Sequence, residues 1–236
     1  MITTFLFDLD GTLLPMDQDT FLKAYMGGLA AKMAPYGYHP DLLIKSIWAG
    51  TGAMVKNSSL NTNETVFWDT FCAVYGRDVR KDESLFLDFY ENEFQQVRNS
   101  CGFDSRAKTV IDTLKAKGIR IALATNPLFP PIATQSRVRW AGLQPEDFEW
   151  ITTYDNSHRC KPNPDYYRDV MDTLQVTPEE CVMVGNDVVE DMIAAELGMK
   201  VFLLTDCLIN PREADISAYP HGGFDALLEF IGGLNT

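Results

Sequence analysis

Short apolar segments that end at polar or glycine residues recur along this sequence, and they limit its fold more than any other feature. The clearest are residues 2–7, 119–124 and 181–184, each too short for a helix and too apolar to have a solvent-facing side. Residues 200–204 follow the same pattern, and residues 148–153 follow it more weakly. Runs of this kind are typical of strands that are covered on both faces, so the sequence predicts a buried parallel sheet.

Amphipathic helices are predicted between these strands. Apolar residues recur at helical spacing in residues 107–114, 167–174 and 189–197. The second segment follows Asn163-Pro164, a pair typical of a helix start, and glycines follow the other two. Because strands alternating with helices imply right-handed βαβ units, we predict an α/β fold, a Rossmann-like parallel sheet with helices on both faces.

One long stretch breaks this alternation. Residues 15–104 contain no convincing buried strand and instead carry aromatic and aliphatic residues at helical spacing. The glycines of this stretch predict turns between its helices, among them Gly27-Gly28, Gly50, Gly52 and Gly76. The sequence therefore predicts two units: an α/β core domain over residues 1–14 and 105–236, and an inserted all-α cap subdomain over residues 15–104.

Charge and cysteine content exclude several classes of protein. Lys and Arg number 20 against 33 Asp and Glu, a formal net charge of −13 without a basic cluster, so a nucleic acid is not an expected partner. No apolar run approaches the roughly 18 residues that span a bilayer, so no membrane partner is expected either. The five cysteines are scattered and form no Cys-x-x-Cys pair, as is typical of reduced thiols. We expect a cytoplasmic protein, and the sequence leaves its oligomeric state open.

Polar motifs follow four of the predicted strands, at the positions where open α/β sheets bind ligands. In Asp8-Leu9-Asp10-Gly11-Thr12 the two carboxylates share one side of the chain, and Gly11 permits a tight turn. Two carboxylates this close repel each other unless a cation or a shared proton intervenes. Thr125-Asn126, after residues 119–124, offers a hydroxyl group and backbone N–H groups that suit an anion.

The other two motifs add a cation and more acids. Lys161 lies just before a predicted helix, and Gly185-Asn186-Asp187 with Asp191 forms an acidic cluster. Oxygen ligands alone favour Mg²⁺, while a hydroxyl and an ammonium group suit a phosphate. The combination predicts phosphoryl transfer to a carboxylate nucleophile, stabilised electrostatically by the metal and by Lys161.

The chain resembles the haloacid dehalogenase-like (HAD) hydrolase superfamily in the order of these four motifs. The insertion is similar to the type-1 helical cap of that superfamily's phosphatase branch. The matching motifs are Phe7-Asp8-Leu9-Asp10-Gly11-Thr12-Leu13, Thr125-Asn126, Lys161-Pro162-x-Pro164 and Gly185-Asn186-Asp187-x-x-x-Asp191.

The resemblance implies a role for each residue of the first three motifs. Asp8 would attack phosphorus and form an aspartyl-phosphate. Asp10 would protonate the leaving oxygen and then accept a proton from the water that hydrolyses the intermediate. Thr125, the Asn126 backbone and Lys161 would bind the phosphoryl oxygens.

The resemblance also implies that Mg²⁺ is held by the Asp8 side chain, the Asp10 backbone carbonyl and an acid of the fourth motif. The usual fourth motif has Asp directly after the glycine, whereas this chain has Asn186 there and Asp187 one position later. We predict that Asp187 is the direct ligand. The alternative is the Asn186 amide oxygen, with Asp187 or Asp191 behind it. We expect Asp191 to orient Lys161 or a metal-bound water.

These expectations predict a Mg²⁺-dependent phosphatase that acts on a small phosphorylated metabolite. The acid at Asp10 favours a phosphatase over a dehalogenase, because dehalogenases of the superfamily lack an acid there. Two alternatives remain open. One is a phosphomutase on the same core, and the other is a non-enzymatic module that accepts a phosphoryl group or binds a phosphometabolite. Asp10 argues against a phospho-acceptor module, which would gain nothing from a proton-transfer group.

Overall fold

The computed structural model describes residues 1–234, and residues 235 and 236 of the predicted core domain lie outside the described residues. Six parallel strands form one sheet in the order β3-β2-β1-β4-β5-β6. No helix within residues 1–234 is both long and apolar enough to cross a lipid bilayer. The strands are β1 (Thr4–Phe7), β2 (Arg120–Leu123), β3 (Trp150–Ile151), β4 (Cys181–Gly185), β5 (Lys200–Leu204) and β6 (His221–Gly222).

The five predicted strands are confirmed, with bounds that differ from the prediction by at most two residues. β1 lies at the centre of the sheet between β2 and β4, and all four of its residues are buried. The sequence missed β6, a two-residue edge strand that is partly exposed. A strand this short and polar leaves no apolar run to recognise.

Helices cover both faces of the sheet, as predicted. Phe5 and Phe7 of β1 pack into one apolar cluster with the helices Arg106–Ala116 and Phe224–Gly232, named α5 and α8. Leu6 packs into a second cluster with the helix Pro164–Leu174, named α7. Asn163 begins α7 as predicted, because its side chain accepts a hydrogen bond from the Asp165 backbone N–H at 3.0 Å. The helices on the sheet are α5 (Arg106–Ala116), α6 (Pro131–Trp140), α7 (Pro164–Leu174) and α8 (Phe224–Gly232).

The amphipathic helix predicted over residues 189–197 is wrong in type: this segment forms a short 3₁₀ helix over Met192–Leu197. The turn before it is held by one helical hydrogen bond, from Asp191 N to Asp187 O at 3.0 Å, and by polar side chains. Asp187 Oδ1 accepts from the backbone N–H groups of Val189 and Glu190, and Asp191 Oδ2 accepts from the N–H of Asp187. The carboxylates that the sequence assigned to chemistry therefore also set the backbone here.

The stretch between β1 and α5, here called the helical insertion (residues 15–104), forms helices as predicted. Its ends lie side by side, since Gly102 N donates to Pro15 O at 2.7 Å and Met16 pairs with Cys101 in an isolated bridge. One continuous apolar cluster includes residues of both the insertion and the sheet domain. The helices are α1 (Gln18–Met33), α2 (Pro40–Val55), α3 (Asn63–Tyr75) and α4 (Glu83–Glu91), followed by the 3₁₀ helix Glu93–Ser100.

Several glycines of the insertion do not form the predicted turns. Gly27 and Gly28 lie within α1, and Gly50 and Gly52 lie within α2. A Cβ atom on Gly50 would lie 2.6 Å from the Phe67 ring, so this glycine allows α2 and α3 to pack closely. Gly76 does end α3, with a φ of 82°.

Candidate active site

Asp8 directly follows β1 at the carboxyl edge of the sheet. Its backbone N–H donates to Val184 O at 2.9 Å, which ties it to the neighbouring strand. Lys161 Nζ donates to Asp8 Oδ1 at 2.9 Å, and Thr12 Oγ1 lies 3.3 Å from Asp8 Oδ2. Gly11 turns the chain with a φ of 86°, and a Cβ atom there would collide with the Asn186 side chain. The first motif thus holds its carboxylate in one orientation at the strand end.

Lys161 lies 1% exposed between two carboxylates. Besides Asp8 it donates to Asp191 Oδ1 at 2.7 Å. Burial by itself lowers the pKa of Lys161, but the carboxylates of Asp191 and Asp8 outweigh it and hold that pKa well above its usual range. The site therefore has a permanent buried cation in contact with Asp8.

Asp10 lies beside a residue that the sequence reasoning missed. Its carboxylate forms an ion pair with Arg137 of α6, whose side chain is buried. Burial raises the pKa of Asp10, although the Arg137 guanidinium acts in the opposite direction. Asp10 Oδ1 is itself buried without a hydrogen-bond partner within residues 1–234. A carboxyl group with a raised pKa and an unused oxygen suits proton donation.

Thr125 and Asn126 follow β2 at the same edge. The Thr125 carbonyl oxygen accepts from Thr152 Oγ1 at 2.6 Å and from Tyr166 Oη at 2.9 Å, which fixes the turn. Asn126 Nδ2 donates to Glu190 Oε2 at 3.0 Å. Glu190 is a second site residue that the sequence reasoning missed, and burial raises its pKa to about 7. The Thr125 hydroxyl group makes no hydrogen bond within residues 1–234, so it can donate to a ligand.

The fourth motif brings Asn186, Asp187 and Asp191 to this edge with different partners. Asn186 Oδ1 accepts from Thr12 Oγ1 at 2.9 Å, and its Nδ2 donates to the carbonyl of Cys207 at 2.7 Å. Asp187 uses Oδ1 to cap the following turn, and its Oδ2 accepts no hydrogen bond within residues 1–234. Asp191 is turned towards Lys161, as its expected orienting role requires.

The donor groups at this edge fit a hard cation. Asp8, Asn186 and Asp187 present carboxylate and amide oxygens, and the Asp10 carbonyl accepts no hydrogen bond within residues 1–234. Mg²⁺ prefers such oxygen ligands and is usually bound by only one or two carboxylates. Within residues 1–234, no group of three His, Cys, Asp or Glu side chains is arranged to hold a metal ion.

A cavity of about 270 Å³ separates this edge of the sheet from the helical insertion. Its floor includes Asp8, Asp10, Thr125, Asn126 and Asp187, and all four helices of the insertion contribute to its walls. A cavity of this size accepts a small molecule with its reacting group against Asp8.

Comparison with known proteins identifies related sequences and folds. A family model of haloacid dehalogenase-like hydrolases matches residues 2–198. A phosphoglycolate phosphatase of Colwellia psychrerythraea is 28% identical over 196 residues, which cover 81% of this chain and 78% of that protein. A solved HAD phosphatase from Thermococcus onnurineus has a TM-score of 0.60 at 18% identity and covers 100% of both chains. A 2-haloacid dehalogenase from Pseudomonas syringae has a TM-score of 0.64 at 19% identity, covering 98% of this chain and 99% of that one.

The two solved structures show a shared fold, since their sequence identities are too low to carry a shared reaction. The family model is the stronger finding, because its matched range includes all four motifs, from Asp8 to Asp191. Strand order, motif order and the family match agree. The chain therefore belongs to the haloacid dehalogenase-like hydrolase family.

Proposed function

We propose that this hydrolase is a Mg²⁺-dependent phosphatase that hydrolyses a small phosphorylated metabolite through an aspartyl-phosphate on Asp8. The observation that carries the proposal is the buried contact between Asp8 and Lys161 beneath a small-molecule cavity. A carboxylate 4 Å from one negative charge is repelled by about 4 kcal/mol at an effective dielectric constant of 20. The ammonium group of Lys161 offsets that repulsion where a phosphoryl group would approach.

The other residues take roles that suit their surroundings. Asp10 would donate a proton to the leaving oxygen and later accept one from water, which its raised pKa and unused oxygen support. The Thr125 hydroxyl, the Asn126 backbone N–H and Lys161 would bind phosphoryl oxygens. The helical insertion would act as a cap that excludes bulk water.

The five cysteines form no disulfide, which supports our proposal of a cytoplasmic location.

Mg²⁺ would be held by the Asp8 carboxylate, the Asp10 carbonyl and one oxygen of the fourth motif. When bound, it would supply positive charge that draws phosphoryl oxygens towards Asp8. We assign the third ligand to Asp187 because an anionic oxygen attracts Mg²⁺ more strongly than an amide, and its Oδ2 is unused by residues 1–234. Asn186 would then stay with Thr12, and Asp191 with Lys161.

Asp187→Ala is expected to raise the Mg²⁺ concentration needed for half-maximal activity by about tenfold or more, in line with the loss of a metal-site group. Asn186→Ala should raise it less, because that variant keeps the anionic oxygen. Titration of activity with Mg²⁺ and calorimetric Mg²⁺ binding measure both changes. A larger effect from Asn186→Ala would assign the ligand to the amide oxygen instead.

Asp10→Asn is expected to slow hydrolysis of an alkyl phosphate by about 10²–10⁴-fold, the usual contribution of a general acid–base group. The loss of phosphorylation rate should be smaller with 4-nitrophenyl phosphate, because nitrophenolate leaves without a proton. Single-turnover rates with the two esters measure this difference. A loss below about twofold with both would exclude Asp10 from proton transfer.

A further inference from the structure

The walls of the cavity differ in character from its floor. Away from Asp8 they are formed mainly by aromatic and aliphatic side chains of the helical insertion. The aromatic members include Phe21, Tyr25, Trp48, Phe67, Phe86 and Tyr90. A substrate whose phosphate lies on Asp8 would place the rest of its structure against these side chains.

The phenol groups and the one carboxylate of this wall already have partners. The hydroxyl groups of Tyr25 and Tyr90 lie 2.8 Å apart and bond to each other, and both side chains are buried. Glu83 Oε2 lies 3.7 Å from Arg80 Nε, and Arg80 Nη2 also pairs with Glu64 Oε1 at 2.8 Å. Arg80 is not part of the cavity wall, and two carboxylates already neutralise it. The wall thus offers mainly apolar surface with few free hydrogen-bonding groups, one of which is Trp68 Nε1, buried without a partner within residues 1–234.

The wall also lacks positive charge. Within residues 1–234, no lysine, arginine or histidine lines the cavity, whereas Glu83 and the acids of the floor do. Lys161 pairs with Asp8 and Asp191, and Arg137 pairs with Asp10. A second anionic group on a substrate would therefore be buried without a partner and in the field of these carboxylates.

We propose that the substrate is a phosphomonoester of an apolar, uncharged alcohol whose aromatic ring or branched hydrocarbon fits with the phosphate in this cavity of about 270 Å³. This inference rests on the proposed phosphatase function and adds its substrate class. It separates the chain from its Colwellia relative, whose name specifies phosphoglycolate, a substrate with a carboxylate beside the phosphate. Similarity to that relative would suggest a substrate with a second anionic group besides the phosphate, and the cavity wall argues against such a group.

The test compares two esters that differ in one charge. Benzyl phosphate and 4-carboxybenzyl phosphate have similar leaving alcohols, so a difference in kcat/KM reports on the cavity wall. We expect kcat/KM for benzyl phosphate to be higher by at least about tenfold, equivalent to about 1.4 kcal/mol, and higher still relative to phosphoglycolate. Equal or better turnover of either carboxylated ester would overturn the inference.

A pair of lysine variants tests whether the preference for benzyl phosphate arises at the cavity wall. Leu87 lines the cavity and is 39% exposed, so Leu87→Lys should fold and should reduce the preference for benzyl phosphate by at least about threefold. Leu60 is 91% exposed and does not line the cavity, so Leu60→Lys should leave the preference unchanged. An equal change in both variants would mean that overall charge sets the preference, which would contradict the inference.

Binding measurements separate this inference from the phosphatase proposal. If no phosphomonoester, including 4-nitrophenyl phosphate, is hydrolysed, the phosphatase proposal fails. The cavity can still be tested by calorimetry with benzylphosphonate and 4-carboxybenzylphosphonate, which need no turnover. Tighter binding of benzylphosphonate would support the apolar preference, and equal or reversed affinities would refute it.

Discussion

Asp8→Asn is expected to abolish hydrolysis of 4-nitrophenyl phosphate, with a loss of about 10⁴-fold or more as is typical for removal of a nucleophile. The amide has nearly the same shape and its oxygen can still accept from Lys161, but it cannot form the phosphate ester. Lys161 keeps its contact with Asp191, so the fold should survive. Steady-state rates and thermal unfolding of the variant measure the two expectations.

The matched control is Asp172→Asn, the same chemical change at an exposed position of α7. It should leave the rate unchanged. Full activity of Asp8→Asn would remove Asp8 as the nucleophile.

The wild-type protein also separates a phosphatase from a phospho-acceptor module. Many turnovers of a phosphate ester per chain indicate a phosphatase, whereas one stable label per chain would indicate a phospho-acceptor module.

Features set by local sequence were predictable. Apolar runs of four to six residues indicated the strands, because a strand covered on both faces needs no polar side. Asn163 and Pro164 marked the start of α7 for the same local reason. Since parallel strands end at one edge, the polar residues after them were expected to meet, as Asp8, Lys161 and Asp191 do.

Features set by distant contacts were not predictable. Arg137 looks in sequence like a solvated residue of α6, but it is paired with Asp10, 127 positions away, and covered by the Phe129 ring. Gly50 looks like a turn residue until Phe67 is packed against it. Helical spacing over residues 189–197 suggested an α-helix. The side chain of Asp191 is instead held by Lys161, and a 3₁₀ helix begins only after it, at Met192. In each case one long-range contact overrides a local preference.

Lys161→Met is expected to have the largest effect on stability. The pKa of Lys161 is higher in the folded protein than in the unfolded chain. The cation therefore stabilises the fold fully at every pH below its unfolded pKa. This stabilisation is lost only as pH rises through the raised pKa of the folded protein. Methionine fills similar volume but leaves Asp8 and Asp191 without their cation. Losing one partner of a buried ionic group typically costs about 3–5 kcal/mol, and activity should be lost as well.

The pH dependence of this loss has a definite sign. Burial and the Asp8 carboxylate raise the pKa of Asp191, and Lys161 opposes them. In Lys161→Met that pKa therefore rises further, because only the Asp187 backbone N–H still acts against them. A carboxyl group whose pKa is higher in the folded than in the unfolded protein makes the fold less stable as pH increases. The deficit of Lys161→Met relative to wild type should therefore be smaller at pH 5 than at pH 8. Denaturant unfolding in the presence of EDTA measures it without a bound metal.

The charge explanation has its own control. In the double variant Lys161→Met/Asp191→Asn, one of the two uncompensated carboxylates is gone, so much of the lost stability should return at pH 8 although activity should not. A simple packing defect at residue 161 predicts the opposite, because removing the Asp191 charge would then add a second loss. A double variant less stable than Lys161→Met at pH 8 would show that Lys161 acts through its volume and not through its charge.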